Sequence, residues 1–535
     1  MLKYLFAIVF LGACGPNPTT TSQLKYYGAD SQRAIMTFES YMDYELPEDY
    51  EGTIGELKNS ELWEDIELAV DEQLAHMFGV FYLYNEFAAN PGMPRNYPRI
   101  KFGRVAEGDE VGVARVHYSY RDVTVFHSDL FDGEDFKEIE FPLPLNPRTI
   151  YAAGTPDENT DCANRCTDIH YQSEEDHFYF WNPSQRMTIG EEDYESFACK
   201  IIKNKNLPCA YHPTHSKKTA ELFNKLTTMV KAQLKKVNST AESYPEYDDL
   251  YKKQTLNMVY FVGVDAGFSL CDLGLRTYKE SLIYLTATRE QIGKRVPIER
   301  TAEDGARCAE EGLPEKLKIR DFVGFEVVDN GRHNKLLRKV FFDKYSRKEI
   351  TVNLRFMLGD PLKAEFVDEM VLAMSGDKKK SIPAADVVIY DGHSGLGGFL
   401  SIERFTDKYE SRKKRQFHLP KTQYQVFYMN ACSTFAYYNA DYIESKQGTY
   451  EEADHLNVIR NDASRYLDII TTGSPAPYDF GAMNDVALIK HLTSGKRPSW
   501  QKIVDELTPE GDDPSLSSLT HVNGDGDNPT EPTRD

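Results

Sequence analysis

The chain has 535 residues and a formal charge of −22, set by 84 acidic against 62 basic side chains. That balance excludes a general nucleic-acid surface, and a hydrophobic content of 41% with 33 Tyr and 29 Phe excludes a disordered chain. At about 150 residues per domain, the length suggests two or three folded units.

At the N-terminus Lys3 precedes an apolar run, Tyr4 to Phe10, followed by Leu11-Gly12-Ala13-Cys14 and a Pro/Thr stretch, GPNPTTTS. The run is too short to span a bilayer, and the pattern resembles a bacterial lipoprotein signal. The resemblance implies lipidation of Cys14 as the mature N-terminus and a membrane partner through that anchor. Gly15, rather than Asp, after the Cys fits the outer membrane of a Gram-negative cell envelope. Residues 1–14 read as signal and 15–30 as linker.

Residues 31–215 read as a mixed α+β domain. Its clearest helix follows Ser60, with Trp63, Ile66, Val70 and Leu74 on one face and Glu61, Glu64 and Asp65 in the first turn. Strand-like runs follow at 110–120, 123–126 and 137–141, with an Asp132-Gly133 turn before the last. Besides Cys14 and Cys432 there are Cys162, Cys166, Cys199, Cys209, Cys271 and Cys308, four of them within residues 162–209. An exported chain favours their use as disulfides, with the pairing open. A zinc site using Cys162, Cys166, His170, Cys209 and His212 has no standard spacing, so no metal and no cofactor are expected. The aromatic, acidic run HYQSEEDHFYFWNPSQ at 170–185 reads as core beside a stapled loop rather than as a ligand face.

The second unit spans residues 216–508. Leu222, Leu226, Met229 and Leu234 suggest a helix over 216–237 leading into it. MVYFVGV at 258–264 and EITVNLRFML at 349–358 read as buried strands, joined by a segment too long to lack secondary structure of its own. Ala364 to Ser375 reads as a crossover helix with apolar Phe366, Met370 and Leu372. Then come two strand signals with reactive ends, PAADVVIYDGHSG at 383–395 and YQVFYMNACST at 424–434. A closing strand and helices are expected over 466–507, and residues 509–535 read as a disordered acidic tail. Within that tail, residues 523–527 echo a calcium loop only faintly.

An apolar run that turns polar as it leaves a parallel sheet puts its last residues at the ligand-binding crevice. Here those residues are His393 and Cys432, an imidazole and a thiol. The His-Ser-Gly and Ala431-Cys432 blocks, with the flanking elements over roughly 250–508, resemble the caspase-like clan of cysteine peptidases. The family has a hydrophobic strand ending in His-Gly and a later one ending in Ala-Cys; here Ser394 follows the His. The resemblance implies a mainly parallel α/β sheet flanked by helices and a Cys432–His393 dyad. It also implies an oxyanion hole made by the N–H groups of Ser394 and Cys432, and a polypeptide substrate.

Asp441 and Asp479 are candidates for receiving a basic substrate side chain, although a surface carboxylate is the more ordinary reading of either. Arg412-Lys413-Lys414-Arg415 reads as a solvated or self-processing loop. Two other readings compete. In one, Ser394 is the nucleophile of a serine-hydrolase elbow, a fit broken by Leu396 where a small residue is needed. In the other, a non-catalytic surface lipoprotein uses the scaffold for binding. Metabolic labelling with a radioactive fatty acid is expected to mark the wild-type chain and to leave Cys14→Ala unlabelled.

Overall fold

The computed structural model describes residues 22–23, 25–47, 50, 52, 54–57, 59–83, 112–146, 187–189, 192–194, 227–237, 242–264, 273–297, 314–316, 322–395, 397–413, 417–447, 458–459, 466–474, 476, 481–508, 517–524 and 528–533. The expected lipoprotein signal with Cys14, the six cysteines expected to form disulfides, residues 170–185 and Asp479 all lie outside them. Among the described residues, no helix is long and apolar enough to cross a membrane.

In chain order, strand β1 (Lys25–Gly28) precedes the long β2 (Ser31–Glu45), helix α1 (Leu62–Leu83), β3 (Val113–His127), β4 (Phe136–Pro144) and β5 (Thr227–Lys236). Helix α1 starts with Glu64 and Asp65 and buries Ile66, Val70 and Leu74, as the sequence suggests. Residues 113–120 and 123–126 belong to one continuous strand, β3, while Glu110 and Val111 lie outside the described residues. Pairing with β2 carries it through Arg121 and Asp122, which lie opposite Thr37 and Met36. Asp132 and Gly133 do turn the chain before β4, with φ of 44° and 79°. The four strands form an antiparallel sheet in the order β3-β2-β5-β4.

The expected helix over 216–237 is corrected here, because 227–236 is strand β5. Val230, Ala232 and Leu234 are buried while Met229 is 59% exposed, so the working period is two, not 3.6. Leu222 and Leu226 lie outside the described residues. The first unit therefore extends beyond residue 215 and takes in β5.

The second sheet is built from β6 (Thr255–Gly263), α2 (Leu273–Thr286), β7 (Glu326–Asn330), β8 (Asn334–Asp343), β9 (Lys348–Gly359), α3 (Ala364–Ser375), β10 (Val387–Asp391), α4 (Ile402–Lys413), β11 (Gln425–Asn430), α5 (Ala440–Gln447), β12 (Leu467–Thr471), α6 (Gly481–Leu492), α7 (Trp500–Leu507) and β13 (His521–Gly524). With β1 it makes a nine-stranded mixed sheet, ordered β7-β8-β9-β6-β10-β11-β12-β13-β1. The five strands β9, β6, β10, β11 and β12 are parallel, and antiparallel pairs extend both edges. Parallel strands must be covered on both faces, and β6, β10 and β11 accordingly read as largely apolar runs, whereas β9 alternates buried apolar with half-buried polar residues. Helices α2, α6 and α7 cover one face, around Tyr260, Ile389, Tyr428 and Trp500. Helices α3, α4 and α5 cover the other, around Phe261, Tyr390, Phe427 and Tyr442. The chain is thus α/β, with a large mixed sheet flanked by helices.

Two segments expected to be unstructured belong to this sheet. Part of the 15–30 linker is β1, and part of the 509–535 tail is β13, which pairs with both β12 and β1. Composition hides them because each is four residues long and takes its order from its neighbours' unpaired backbone. Beyond β13, Asn528 donates to Asp468 at 2.9 and 3.0 Å, and the Pro532 carbonyl accepts from Arg497 at 2.8 Å. Leu519 and Phe435 pack into the core of the four-stranded sheet and so join the two sheets. A chain ending at residue 508 loses these contacts and is expected to melt at least ~5 °C lower and to aggregate.

Candidate functional site

Strands β10 and β11 are buried along their whole length, and their parallel register pairs Asp391 with Asn430. The Gly392 N–H donates to the Asn430 carbonyl at 3.2 Å, one step past the ladder. His393 and Cys432 each stand two residues beyond the last pair, on strands about 4.8 Å apart and at the same edge. After β6 the chain turns to the α2 face, and after β10 to the α4 face. Connections that part this way mark, as a general rule, the place where ligands bind at the carboxyl ends of a parallel sheet, and His393 follows β10 at that place. Both residues are half-buried.

Each exit loop is held by specific bonds. The Tyr390 hydroxyl donates to the His393 carbonyl at 2.6 Å, and the Tyr438 hydroxyl donates to the Ser394 carbonyl at 2.8 Å. Gly392 has a φ of 152°, and a Cβ there would lie 2.9 Å from the Tyr390 hydroxyl and 3.1 Å from Gly263 Cα. Only glycine fits. Ser394 has no left-handed φ; that conformation falls on Gly395, at 54°. The backbone at residue 394 therefore has no need of a glycine.

On the other strand, Ser433 follows the Cys with a φ of 55°, a conformation that costs a side-chain-bearing residue about 1–3 kcal/mol. Its neighbours hold it there. The Ser433 N–H donates to the Ser474 carbonyl at 3.2 Å, Phe435 N–H to Thr472 at 2.9 Å, and the Thr434 hydroxyl to Met429 at 2.8 Å. A π-helical turn, Phe435–Asn439, follows, a feature often found at functional sites.

Burial pushes the Cys432 thiol up from its ordinary value. The backbone N–H groups of Ala476 and of Cys432 itself aim at the sulfur and pull the other way, while the Asp391 charge adds to the rise. Neither the Ser394 nor the Cys432 N–H donates to a carbonyl or side-chain oxygen among the described residues. Cys432 is a free cysteine, and no group of metal-ligating side chains occurs among the described residues.

Beneath the two exits lies a polar node that the sequence reading missed. Asn430 Nδ2 donates to Asp391 Oδ2 at 2.9 Å and lies 3.1 Å from Asp485 Oδ1. The Tyr260 hydroxyl donates to Asp485 Oδ2 at 2.6 Å and lies 2.9 Å from the Ser281 hydroxyl. Gly481 opens α6 where a Cβ would stand 2.5 Å from Asp391 Oδ2. Burial pushes both carboxyl groups above the usual carboxylate range, and the Asp391 charge pushes Asp485 further. The available sequence signal was a carboxylate closing an apolar strand, Asp391, and a second inside an apolar helix, Asp485.

Asp441 is half-buried in the first turn of α5, separated from Cys432 by the π-helical turn. Arg412 and Lys413 do not form a solvated loop; they end α4 and pair with Asp368 at 2.7 and 2.8 Å. Ser394 is 5% exposed, and α4 begins at Ile402, so no strand-to-helix elbow presents it. The chain matches no family model and no curated protein.

The node has a pH signature. A carboxyl group whose folded pKa is raised stabilises the fold fully below its unfolded value of about 4, and that contribution is lost as pH rises through the folded value. Asp485→Asn is therefore expected to gain stability relative to the wild type steadily from about pH 4 upward, as read by thermal melts of both proteins in parallel.

Proposed function

We propose that the protein is an exported, lipid-anchored cysteine endopeptidase of the caspase-like clan. The observation that carries this reading is the register of β10 and β11. It brings His393 and Cys432 out at one sheet edge from adjacent parallel strands, with the Ser394 N–H bonded to no backbone carbonyl among the described residues and the Cys432 N–H turned toward its own sulfur.

With the thiol pushed up at rest, His393 acts as a general base during attack instead of resting as an ion pair with a preformed thiolate. It takes the Cys432 proton as Sγ bonds to the scissile carbonyl carbon. The two N–H groups then hold the developing oxyanion. His393 returns the proton to the leaving amine as the C–N bond breaks, then activates the water that hydrolyses the thioester. No cofactor is needed in this sequence. Asp441 and Asp479 are the carboxylates proposed to meet a basic substrate side chain.

Cleavage of a fluorogenic peptide library is expected to vanish in Cys432→Ala and to fall by a factor of about 100 or more in His393→Ala. Ser394→Gly is expected to stay within about threefold of the wild type, since the wild-type φ at that position is not a glycine conformation. Silence from the wild type, with Cys432 unreactive toward peptidyl ketones, would sink the peptidase reading in favour of a binding scaffold.

A further inference from the structure

We propose that Asp391 and Asp485 share one proton across Asn430 and that the charge on this pair modulates how readily Cys432 ionises. The functional consequence rests on the reading of Cys432 as nucleophile, whereas the coupling itself is a property of the thiol.

The geometry starts from one amide group. Asn430 Nδ2 lies 2.9 Å from an oxygen of Asp391 and 3.1 Å from an oxygen of Asp485. Asp391 is 8% exposed and Asp485 is fully buried. Two carboxylates bridged so closely and shielded from water cannot both ionise at neutral pH, so one proton stays with the pair. Among the described residues, no lysine, arginine or histidine bonds to either group. The groups that face them are Tyr260 from β6, Ser281 from α2, Tyr428 and Asn430 from β11, and Gly481 and Asn484 from α6. Burial holds both tyrosines neutral through the whole working range. The pair is therefore the variable charge of this node.

Cys432 follows Asn430 by two residues, and the Asp391 charge already opposes its ionisation. Near neutrality the pair carries one negative charge. As pH rises the remaining proton leaves to solvent, a second charge appears, and the thiolate is disfavoured further. Cys432 then titrates over a broad range, with reactivity climbing slowly where an isolated thiol would reach its plateau.

The test is the pH dependence of alkylation by iodoacetamide in the full-length chain, followed on the Cys432 peptide by mass spectrometry. This readout needs no peptidase activity. Asp391→Asn is expected to shift the midpoint down by roughly half a unit to one unit, which speeds alkylation near neutrality roughly threefold to tenfold. Asp485→Asn is expected to turn the broad profile into a single step. Infrared spectra of the wild type labelled with 13C-aspartate give a check that needs no substitution. A protonated carboxyl band should persist above neutral pH, beyond the range where Asp386, at the far end of β10 and pushed up to about 6 by burial, has ionised. Absence of that band in the wild type, or an alkylation profile of folded Asp391→Asn that superimposes on the wild type, overturns the proposal. The predicted shifts in a protein that cleaves no peptide would remove the peptidase reading and leave the coupling intact.

Discussion

Five parallel strands must have both faces covered, and the rest of the molecule follows from that requirement. It explains why Val387 to Asp391 and Gln425 to Asn430 are buried at every position and why helices stand on each side of the sheet. It also puts the five carboxyl ends at one edge, the place where reactive side chains meet without any contact between them in sequence. The antiparallel strands serve a different need. Strands β8 and β13 satisfy the unpaired backbone of β9 and β12 with residues too polar or too few to make a core of their own.

Buried polar groups fix how the helices and termini sit on this sheet. Asp468 accepts from Tyr424 at 2.5 Å, Trp500 at 2.7 Å and Asn528 at 2.9 Å, tying together β12, α7 and the C-terminal segment. Arg497 bonds Asp343 at 2.8 Å and Asp248 at 2.7 Å, joining β8 and the stretch before β6 to the turn between α6 and α7. Such pairs contribute little net stability against an apolar alternative, but breaking one leaves a buried charge uncompensated. Asp391 and Asp485 differ in having no cationic partner among the described residues, and burial raises both carboxyl groups directly below the residues of the candidate site.

Long, strongly patterned elements were legible in the sequence. Helix α3 runs over Ala364–Ser375, as its apolar spacing indicates, and α1 buries the face led by Ile66, Val70 and Leu74. Strands β6 and β9 lie where the apolar run at 258–264 and the strand-like run at 349–358 placed them, and the segment between them carries α2 and the β7–β8 hairpin. Residues 227–236 were misread because an amphipathic strand with Lys231, Gln233 and Lys235 on its open side offers enough Leu and Met to imitate helical spacing. Strand β2 passed unnoticed because its buried Arg33 and Gln32 look like surface residues, and only the fold provides their partners. Arg33 lies over the rings of Tyr26 and Phe435, at 5.1 and 5.6 Å, and the Gln32 amide donates to the Val237 carbonyl at 2.6 Å.

By itself the sequence determined the α/β alternation, the two strands that lead to His393 and Cys432, and the glycines around the first of them. These depend on local pattern, where burial on both faces demands apolar runs and tight exits demand particular φ angles. Only the tertiary structure decided the register that sets Asp391 beside Asn430, the strands made from linker and tail, and the meeting of Asp391 with Asp485. Each of these joins segments far apart in the chain, and the free energy that orders them comes from unpaired backbone and buried charge that exist only once the sheet has formed.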